Sequence, residues 1–269
     1  MEYIDIHVHV CSEDPYLDRH VKAAEECGVR LLLCHAVPEE PRIGGLGDNR
    51  AVLEAVRRHP GVVVGSLCLD LRLPVEKNLD TLRRYADAGF RCVKLFPNLG
   101  FDPSDARFDP VWEEMENRRM LCLSHCGYLA PAPDAPRFPF SSLTATPLHY
   151  ERPARVFPGI NFIMAHFGGM PNYLETIMLC TRLENFYADC TPGQGRWIWQ
   201  MRLPGIESMP FERFLWGTDM VVADDPAGRI RSAIDFWNRL FDEMGIGEKE
   251  RRLFFHDNSA RLLGFEDDR

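Results

Sequence analysis

The sequence predicts an α/β protein, a (β/α)8 TIM barrel that occupies residues 1–269 as one domain. Short apolar runs rich in β-branched residues recur eight times, and segments with helical periodicity lie between them. The length of 269 residues also suits such a barrel, which typically needs ~250. Strands that alternate with helices pair in parallel through right-handed crossovers, and eight such units close into a cylinder. Neither an internal repeat nor a Pro/Gly-rich linker divides the chain, which favours one domain over two.

The eight predicted strands are the short runs in which apolar and β-branched residues dominate. They are Tyr3–Val10, Arg30–Ala36, Val62–Leu69, Arg91–Phe96, Met120–Cys126, Asn161–His166, Asn185–Cys190 and Phe214–Asp219. In a parallel barrel one face of each strand meets the helices and the other meets the interior. Polar side chains near a strand end are therefore informative.

The predicted helices have apolar residues at helical spacing. They are Tyr16–Cys27, Asn49–His59, Val75–Ala88, Asp109–Arg118, Pro171–Arg182, Pro226–Met244 and a last helix, Ser259–Gly264, with Asn258 as its cap. Two units are less defined. Tyr128–Pro153, rich in Pro, Ser and Ala, is interpreted as a loop over the mouth of the barrel, and Gln194–Met201 as either a helix or an aromatic flap.

Composition and charge exclude several classes of protein. A hydrophobic content of 45% supports a core, and a formal net charge of −9 disfavours a nucleic-acid binder. The longest apolar runs, Leu31–Val37 and Val62–Leu69, are far shorter than the ~18 residues of a membrane span. The first residues lack the basic start and the long apolar stretch of a signal peptide, so we expect none. Nine cysteines without a CxxC pair indicate reduced thiols. We therefore expect a cytoplasmic protein, a small-molecule substrate, and neither a nucleic-acid nor a membrane partner.

The first strand carries the strongest chemical signal. Alternation places Ile4, Ile6, Val8 and Val10 on one face and Asp5, His7 and His9 on the other. Imidazoles that point into a barrel are costly unless something satisfies them, and a metal ion does so.

Four other strand ends repeat this pattern. Lys94, His125, His166 and Asp219 each lie in the last positions of an apolar run, at the rim where barrel enzymes hold their reacting groups. Each alone is more simply a hydrogen-bonded scaffold residue or a helix cap. Their coincidence favours a metal site, because three imidazole nitrogens and one carboxylate oxygen suit Zn²⁺ or a similar divalent ion.

Seven motifs along nearly the whole chain then carry a family resemblance. They are IDIHVHV (4–10), GFRCVKLFP (89–97), LSHCG (123–127), AHFGG (165–169), YADCT (187–191), WGTDM (216–220) and DNSARLLGF (257–265). The chain resembles the amidohydrolase superfamily, and more narrowly its amidohydrolase-related branch, which includes aminocarboxymuconate-semialdehyde decarboxylase-like enzymes. The resemblance implies a barrel of the metallo-dependent hydrolase type.

The resemblance also implies roles for individual residues. His7, His9, His125 and Asp219 would bind one ion per chain, Zn²⁺ or another divalent metal such as Mn²⁺. His166 and Asp219 would be catalytic. His35 and Asp189 are expected in the substrate pocket, and the protein is expected to form a homodimer.

Lys94 has several possible roles, and Phe96 departs from the family pattern. Phosphotriesterase-like relatives carboxylate a Lys on this strand to bridge two metals, so Lys94 could hold a second metal or line the pocket, or it could pair with Asp5 or Asp219. TatD-like deoxyribonucleases normally carry Glu on this strand, so Lys94 argues against membership of that group. Phe96 replaces a family His, and Met220 replaces the Pro or Tyr-Pro that commonly follows Asp219.

The predicted reaction is attack by metal-activated water on an amide, lactone or ester of a small substrate. Two alternatives stay open: a non-oxidative decarboxylase of a small unsaturated or aromatic acid, and a non-catalytic barrel that retains metal. Two groups of residues are candidates for contacts with the substrate. Arg42, Arg137 and Arg196 could hold a carboxylate, and Phe96, Tyr128, Trp197 and Trp199 could line an aromatic pocket.

Overall fold

The computed structural model describes residues 1–38, 45–129, 141–191, 193–221 and 224–265. Within them, eight parallel strands form one sheet in chain order, which is the predicted (β/α)8 TIM barrel. The strands are β1 Tyr3–Val8, β2 Val29–His35, β3 Val63–Cys68, β4 Cys92–Leu95, β5 Leu121–Ser124, β6 Phe162–Met164, β7 Phe186–Asp189 and β8 Phe214–Leu215.

The sheet closes between its first and last strands. β8 is short, but the chain continues beside β1: Ile6 N–H donates to the Trp216 carbonyl at 3.3 Å, and Asp219 N–H donates to the His7 carbonyl at 2.7 Å. These bonds bring Asp219 next to the end of β1. The C-terminal ends of β1 and β8 thus meet at one rim of the barrel.

Helices lie between the strands and after the last one. They are α1 Asp18–Glu26, α2 Asn49–Arg58, α3 Val75–Asp87, α4 Asp109–Asn117, α5 Glu151–Val156, α6 Tyr173–Arg182, α7 Gln194–Gln200, α8 Pro226–Met244, α9 Glu248–Arg252 and α10 Asn258–Leu263. The segment Gln194–Met201 is therefore a helix. Within Tyr128–Pro153, a 3₁₀ turn at Pro147–Tyr150 leads into α5, so the end of that segment is not loop.

The cap predicted at Asn258 is wrong. Asn258 is the first residue of α10, and its side-chain amide donates to the carbonyls of Phe211 and Phe214 at 2.6 and 2.9 Å. The amide therefore ties the last helix to the segment that enters β8, instead of satisfying the start of α10.

Apolar side chains form two separate clusters. The outer one fills the space between strands and helices. The inner one fills the barrel and consists of Ile4, Ile6, Leu31, Leu33, Cys92, Leu121, Leu123, Ile163, Ala165, Tyr187, Leu215 and Ala260. Leu262, Leu263 and Phe265, in α10 and just after it, pack against this inner cluster, so the C-terminal segment closes that part of the barrel.

The predicted alternation along β1 is wrong in one respect. Ile4 and Ile6 belong to the inner cluster, whereas Val8 and Val10 belong to the outer one. A strict period of two would have kept all four on the same face. The phase of β1 therefore changes between Ile6 and Val8.

The cause is an irregularity in the pairing of β1 with β2. The register shifts between Asp5 and Val8, and His7 N–H donates to the Asp5 carboxylate at 3.1 Å. Thr218 donates to the same carboxylate through its N–H at 3.0 Å and its hydroxyl at 2.6 Å. Asp5 thus holds the backbone of a bulge-like turn, which allows His7 to share the interior with Ile6.

In the part of the chain that the structure describes, no helix combines the length and the apolar character needed to cross a membrane.

Candidate active site

The ends of β1 and β8 bring together a compact set of potential metal ligands. His7 Nε2 and His9 Nε2 lie 3.5 and 3.4 Å from the same atom, Asp219 Oδ1. Among the described residues, these three form the group whose ligand atoms all lie within 4.8 Å of one another. Two nitrogens and one oxygen at this spacing can hold a divalent cation.

His7 is oriented by a buried carboxylate. Its Nδ1 lies 2.8 Å from Asp189 Oδ2, at the end of β7, which leaves Nε2 directed at Asp219. Burial and the Lys94 ammonium lower the pKa of His7 to about 4, so its imidazole is neutral at neutral pH. Burial alone would raise the pKa of Asp189, but His7, His166 and Lys94 lower it to about 2. This carboxylate–imidazole pair is the usual support of a metal-binding histidine.

His9 is oriented by a backbone group instead. Its Nδ1 donates to the His35 carbonyl at 2.9 Å, and His35 Nε2 donates in turn to the Ile6 carbonyl at 2.8 Å. His35 is fully buried and joins β2 to β1. The structure therefore gives His35, expected in the substrate pocket, a place behind His9.

Asp219 links the ligand group to solvent. Its backbone is left-handed, with φ of 49°, a conformation that Asp tolerates better than most residues. Its side chain is 31% exposed, with Oδ1 toward the two imidazoles and Oδ2 at 4.0 Å from His166 Nδ1. Gly217 permits this approach of β8 to β1, because a Cβ there would lie 2.9 Å from the His7 Cβ.

His125 and His166 form a second imidazole pair beside this group. His166 Nε2 lies 3.2 Å from His125 Nδ1, and Phe96 stacks on the His125 ring with centroids 5.7 Å apart. His125 stands outside the close group of three, and its Nε2 lies 3.4 Å from the Tyr128 carbonyl oxygen. Metal ligation by His125 stays a prediction.

Lys94 reaches into the ligand group from β4. It is 1% exposed, and its Nζ lies 2.9 Å from His7 Nε2. Burial lowers the pKa of Lys94, and the nearby Asp219 and Asp189 carboxylates oppose this decrease. Asp5 and Asp219 are the two partners predicted for Lys94. The Asp5 carboxylate is bonded to Thr218 and to the His7 backbone instead, whereas the Asp219 carboxylate lies near enough to raise the pKa of Lys94.

A cavity of about 650 Å³ opens above these groups. It is lined by Tyr128, His166, Met170, Pro171, Gly193, Trp197 and Asp219. Asp219 supplies a carboxylate and His166 an imidazole to this lining, and Tyr128 and Trp197 are its exposed aromatic residues.

Other predicted pocket residues lie elsewhere. Trp199 stacks on Phe214 in the outer cluster, with centroids 4.5 Å apart. The Arg196 guanidinium lies 3.7 Å above the Phe236 ring of α8, and Arg196 is not among the residues lining the cavity. Arg42 and Arg137 lie outside the described residues.

Sequence reasoning missed Thr191. Its hydroxyl lies 2.5 Å from His166 Nδ1 and 2.9 Å from Asp189 Oδ1. The available signal was a small polar residue two positions after the Asp that ends β7. The motif at 187–191 includes both residues, but the prediction assigns a role to Asp189 alone.

The residues present fit a divalent metal ion. Asp189 and the His35 carbonyl each face the Nδ1 of one histidine, so His7 and His9 both direct Nε2 at the Asp219 carboxylate. Neutral imidazole and carboxylate are donors that Zn²⁺ and Mn²⁺ accept.

Comparisons with known proteins identify the family and the fold. The amidohydrolase family model matches residues 4–265. A comparison with curated proteins finds no match.

Solved structures show the same fold. An uncharacterized TIM-barrel protein from Bordetella bronchiseptica has a TM-score of 0.74 and 17% identity, over 98% of this chain and 99% of that chain. A protein assigned as a 2-pyrone-4,6-dicarboxylic acid hydrolase from Pseudomonas putida has a TM-score of 0.68 and 20% identity, over 98% of each chain. A dihydroxybenzoic acid decarboxylase from Polaromonas sp. JS666, with bound manganese and the inhibitor 2-nitroresorcinol, has a TM-score of 0.67 and 17% identity, over 98% and 97%.

Proposed function

This chain belongs to the amidohydrolase family, and we propose that it is a divalent-metal-dependent hydrolase that opens an amide, lactone or ester in a small planar substrate. One observation carries the proposal: His7 Nε2 and His9 Nε2 converge on Asp219 Oδ1, and Asp219 lines a cavity. A non-catalytic barrel would not need an accessible carboxylate beside two fixed imidazoles.

A divalent ion held there would lower the pKa of water to about 7 and so supply hydroxide near neutral pH. His7, His9 and one oxygen of Asp219 would hold the ion, and His125 is the fourth ligand that we propose. The other Asp219 oxygen faces His166 and the cavity, so it can accept a proton from water and return it to the leaving group.

His166 is the second proton-handling group of the proposed reaction. It lines the cavity beside Asp219. A proton accepted at His166 Nε2 would break its contact with His125 Nδ1, and this N–H would then donate to the substrate oxygen that becomes negatively charged.

The walls of the cavity indicate a planar substrate. Tyr128 and Trp197 line the same cavity as His166 and Asp219, and aromatic rings stack on planar groups. A volume of about 650 Å³ suits a small ring compound. The hydrolase from Pseudomonas putida carries a pyrone in its name, and a pyrone is a planar lactone.

A decarboxylase is the second candidate. The manganese-bound relative from Polaromonas sp. JS666 acts on dihydroxybenzoic acid, which is also planar and carries a carboxylate. In that reaction His166 or Asp219 would protonate the ring carbon that loses carbon dioxide.

Two measurements test the proposal. Protein purified without chelator should contain one divalent ion per chain by elemental analysis. His7→Gln and His9→Gln should abolish this binding, and His59→Gln, a change outside the site, should not. A folded wild-type chain without stoichiometric metal would contradict the proposal.

The reaction is then assayed on 2-pyrone-4,6-dicarboxylate and on the dihydroxybenzoic acids. Ring opening that consumes water and releases acid supports the hydrolase. Release of carbon dioxide without ring opening supports the decarboxylase instead.

A further inference from the structure

A buried series of hydrogen bonds runs from Asp189 to His125 outside the group of three ligands. Asp189 Oδ1 lies 2.9 Å from the Thr191 hydroxyl, which lies 2.5 Å from His166 Nδ1. His166 Nε2 lies 3.2 Å from His125 Nδ1. All four residues are buried.

The direction of the first bond follows from its neighbours. Asp189 Oδ1 also accepts from the backbone N–H of His166 at 2.9 Å and of Thr191 at 3.2 Å. A backbone N–H can only donate, so Oδ1 is an acceptor and the Thr191 hydroxyl must give it its proton.

The positions of the next protons follow. A hydroxyl has one proton, so Thr191 Oγ1 has only lone pairs left for His166 Nδ1, which must carry a proton. In a neutral imidazole the Nε2 of His166 is then bare, and the contact to His125 requires a proton on His125 Nδ1. The Nε2 of His125 is left without one.

We propose that Thr191 is a positioning residue that fixes the proton positions of His166 and His125, and so leaves His125 Nε2 free to bind the metal. The inference rests on the proposed function, because metal binding is what the free His125 Nε2 would serve. Its test does not, because the proton positions are measured on metal-free protein. His125 Nε2 also lies 3.4 Å from the Tyr128 carbonyl oxygen, a contact that would require the proton on Nε2 instead, and it is longer than the usual 2.7–3.2 Å of an N–H···O bond. A measurement of the proton positions decides between these two arrangements.

Asp189 then organises three imidazoles. It contacts His7 Nδ1 directly at 2.8 Å, and it acts on His166 and His125 through Thr191. Loss of the Thr191 hydroxyl should disturb His166 and His125 but leave the bond between Asp189 and His7 in place.

A purely structural role for Thr191 makes a different prediction. Its Cγ2 methyl packs beside Gly217, where an added Cβ would lie 3.0 Å away. Thr191→Val keeps the shape and this methyl but removes the hydroxyl, whereas Thr191→Ser keeps the hydroxyl and removes the methyl. The two variants therefore separate the hydroxyl from packing.

The primary test is long-range ¹⁵N–¹H NMR on metal-free protein labelled at histidine, assigned with His166→Gln and His125→Gln. Wild type and Thr191→Ser should carry the proton on Nδ1 of both His166 and His125. Thr191→Val should move His166 toward the Nε2–H form. A wild-type His166 with its proton on Nε2, or a Val variant with the wild-type pattern, would overturn the proposal. If Thr191→Val fails to fold, the tautomer of His166 in the wild-type protein is sufficient to support or reject the proposal.

Zinc affinity, measured by competition with a chromophoric chelator, is the second readout. Support from outside the ligand shell is worth about 10–100-fold in metal affinity, so Thr191→Val should lose about tenfold and Thr191→Ser little. A greater loss in the Ser variant than in the Val variant would assign Thr191 to packing and reject the proposal.

The two proposals fail separately. The expected tautomers without turnover on any tested substrate would reject the hydrolase and retain the role of Thr191. Turnover with the opposite tautomer would reject only the role of Thr191.

Discussion

The interior of the barrel has an apolar layer and a polar layer, and the same strands build both. On β5, Leu123 belongs to the apolar inner cluster and His125 follows two residues later. Tyr187 and Asp189 repeat this step on β7, as do Cys92 and Lys94 on β4. Because side chains two apart on a strand point the same way, each strand contributes first to the core and then to the site.

The two layers differ in what holds them. Burial of an apolar side chain stabilises the fold by about 1.5–3 kcal/mol without any specific partner. Buried polar groups are costly unless each has a partner, which explains why the polar layer is a connected network around Asp189 and Asp219. Changes in the apolar layer should therefore affect the free energy of unfolding, and changes in the polar layer should affect metal binding and turnover.

The largest effect is expected at Asp219. Asp219→Asn removes a proposed metal ligand and the proton acceptor that faces the cavity. We expect kcat to fall by about 10⁴-fold, the upper range for a positioned proton-transfer group, with an unchanged unfolding midpoint. Steady-state kinetics, with Asp224→Asn on the exposed loop as the matched control, measures this. Activity within tenfold of wild type would remove Asp219 from the mechanism.

The apolar layer is tested at Leu123, which is fully buried. Leu123→Ala should lower the free energy of unfolding by about 2–5 kcal/mol, because it removes buried methyl groups and leaves a cavity. Leu143→Ala, at a side chain that is 83% exposed, is the control and should change it little. Urea unfolding gives both values. A folded Leu123→Ala variant should still bind one metal ion. Loss of metal without loss of stability would contradict the assignment of stability to the apolar layer and of metal binding to the polar layer.

His20 in α1 tests a buried polar group that lies in neither layer. Neither of its ring nitrogens has a hydrogen-bond partner among the described residues, and burial lowers its pKa to about 4 from 6.5. Between pH 6.5 and 4 the unfolded chain binds a proton that the folded chain does not. The free energy of unfolding should therefore fall as the pH is lowered through this range, by about 3 kcal/mol from this group.

His20→Leu measures that contribution. Urea unfolding between pH 7 and 4.5 should show a smaller decrease in the variant than in wild type, while other buried histidines contribute equally to both. Equal decreases in the two proteins would mean that His20 does not titrate as its burial indicates.

Local signals account for the parts of the fold that sequence reasoning predicted. The predicted bounds of α8 match the structure, since Asp225 accepts from Gly228 N–H, Pro226 begins the helix and Gly245 ends it in a left-handed conformation. The polar strand ends were predictable because their position follows from the strand alone.

Contacts between distant residues account for what was missed. The bulge in β1 depends on bonds from Thr218 to Asp5, more than 200 residues apart in sequence. Asn258 contacts carbonyls at 211 and 214, and Arg196 lies on Phe236 of another helix. The link from Asp189 through Thr191 to His166 joins the ends of two strands, so neither strand reveals it alone.

The smallest effect is expected for Asp189→Asn, which weakens the support of His7 without removing a ligand. An amide is neutral and can present its NH₂ group to His7 Nδ1, so the imidazole loses its charged acceptor. Zinc affinity should fall by about 10–100-fold, or about 1.4–2.7 kcal/mol. Asp102→Asn is the matched control, because Asp102 holds His149 Nδ1 at 2.7 Å outside the site. Equal zinc affinity in the two variants would show that the polar layer binds metal without this carboxylate.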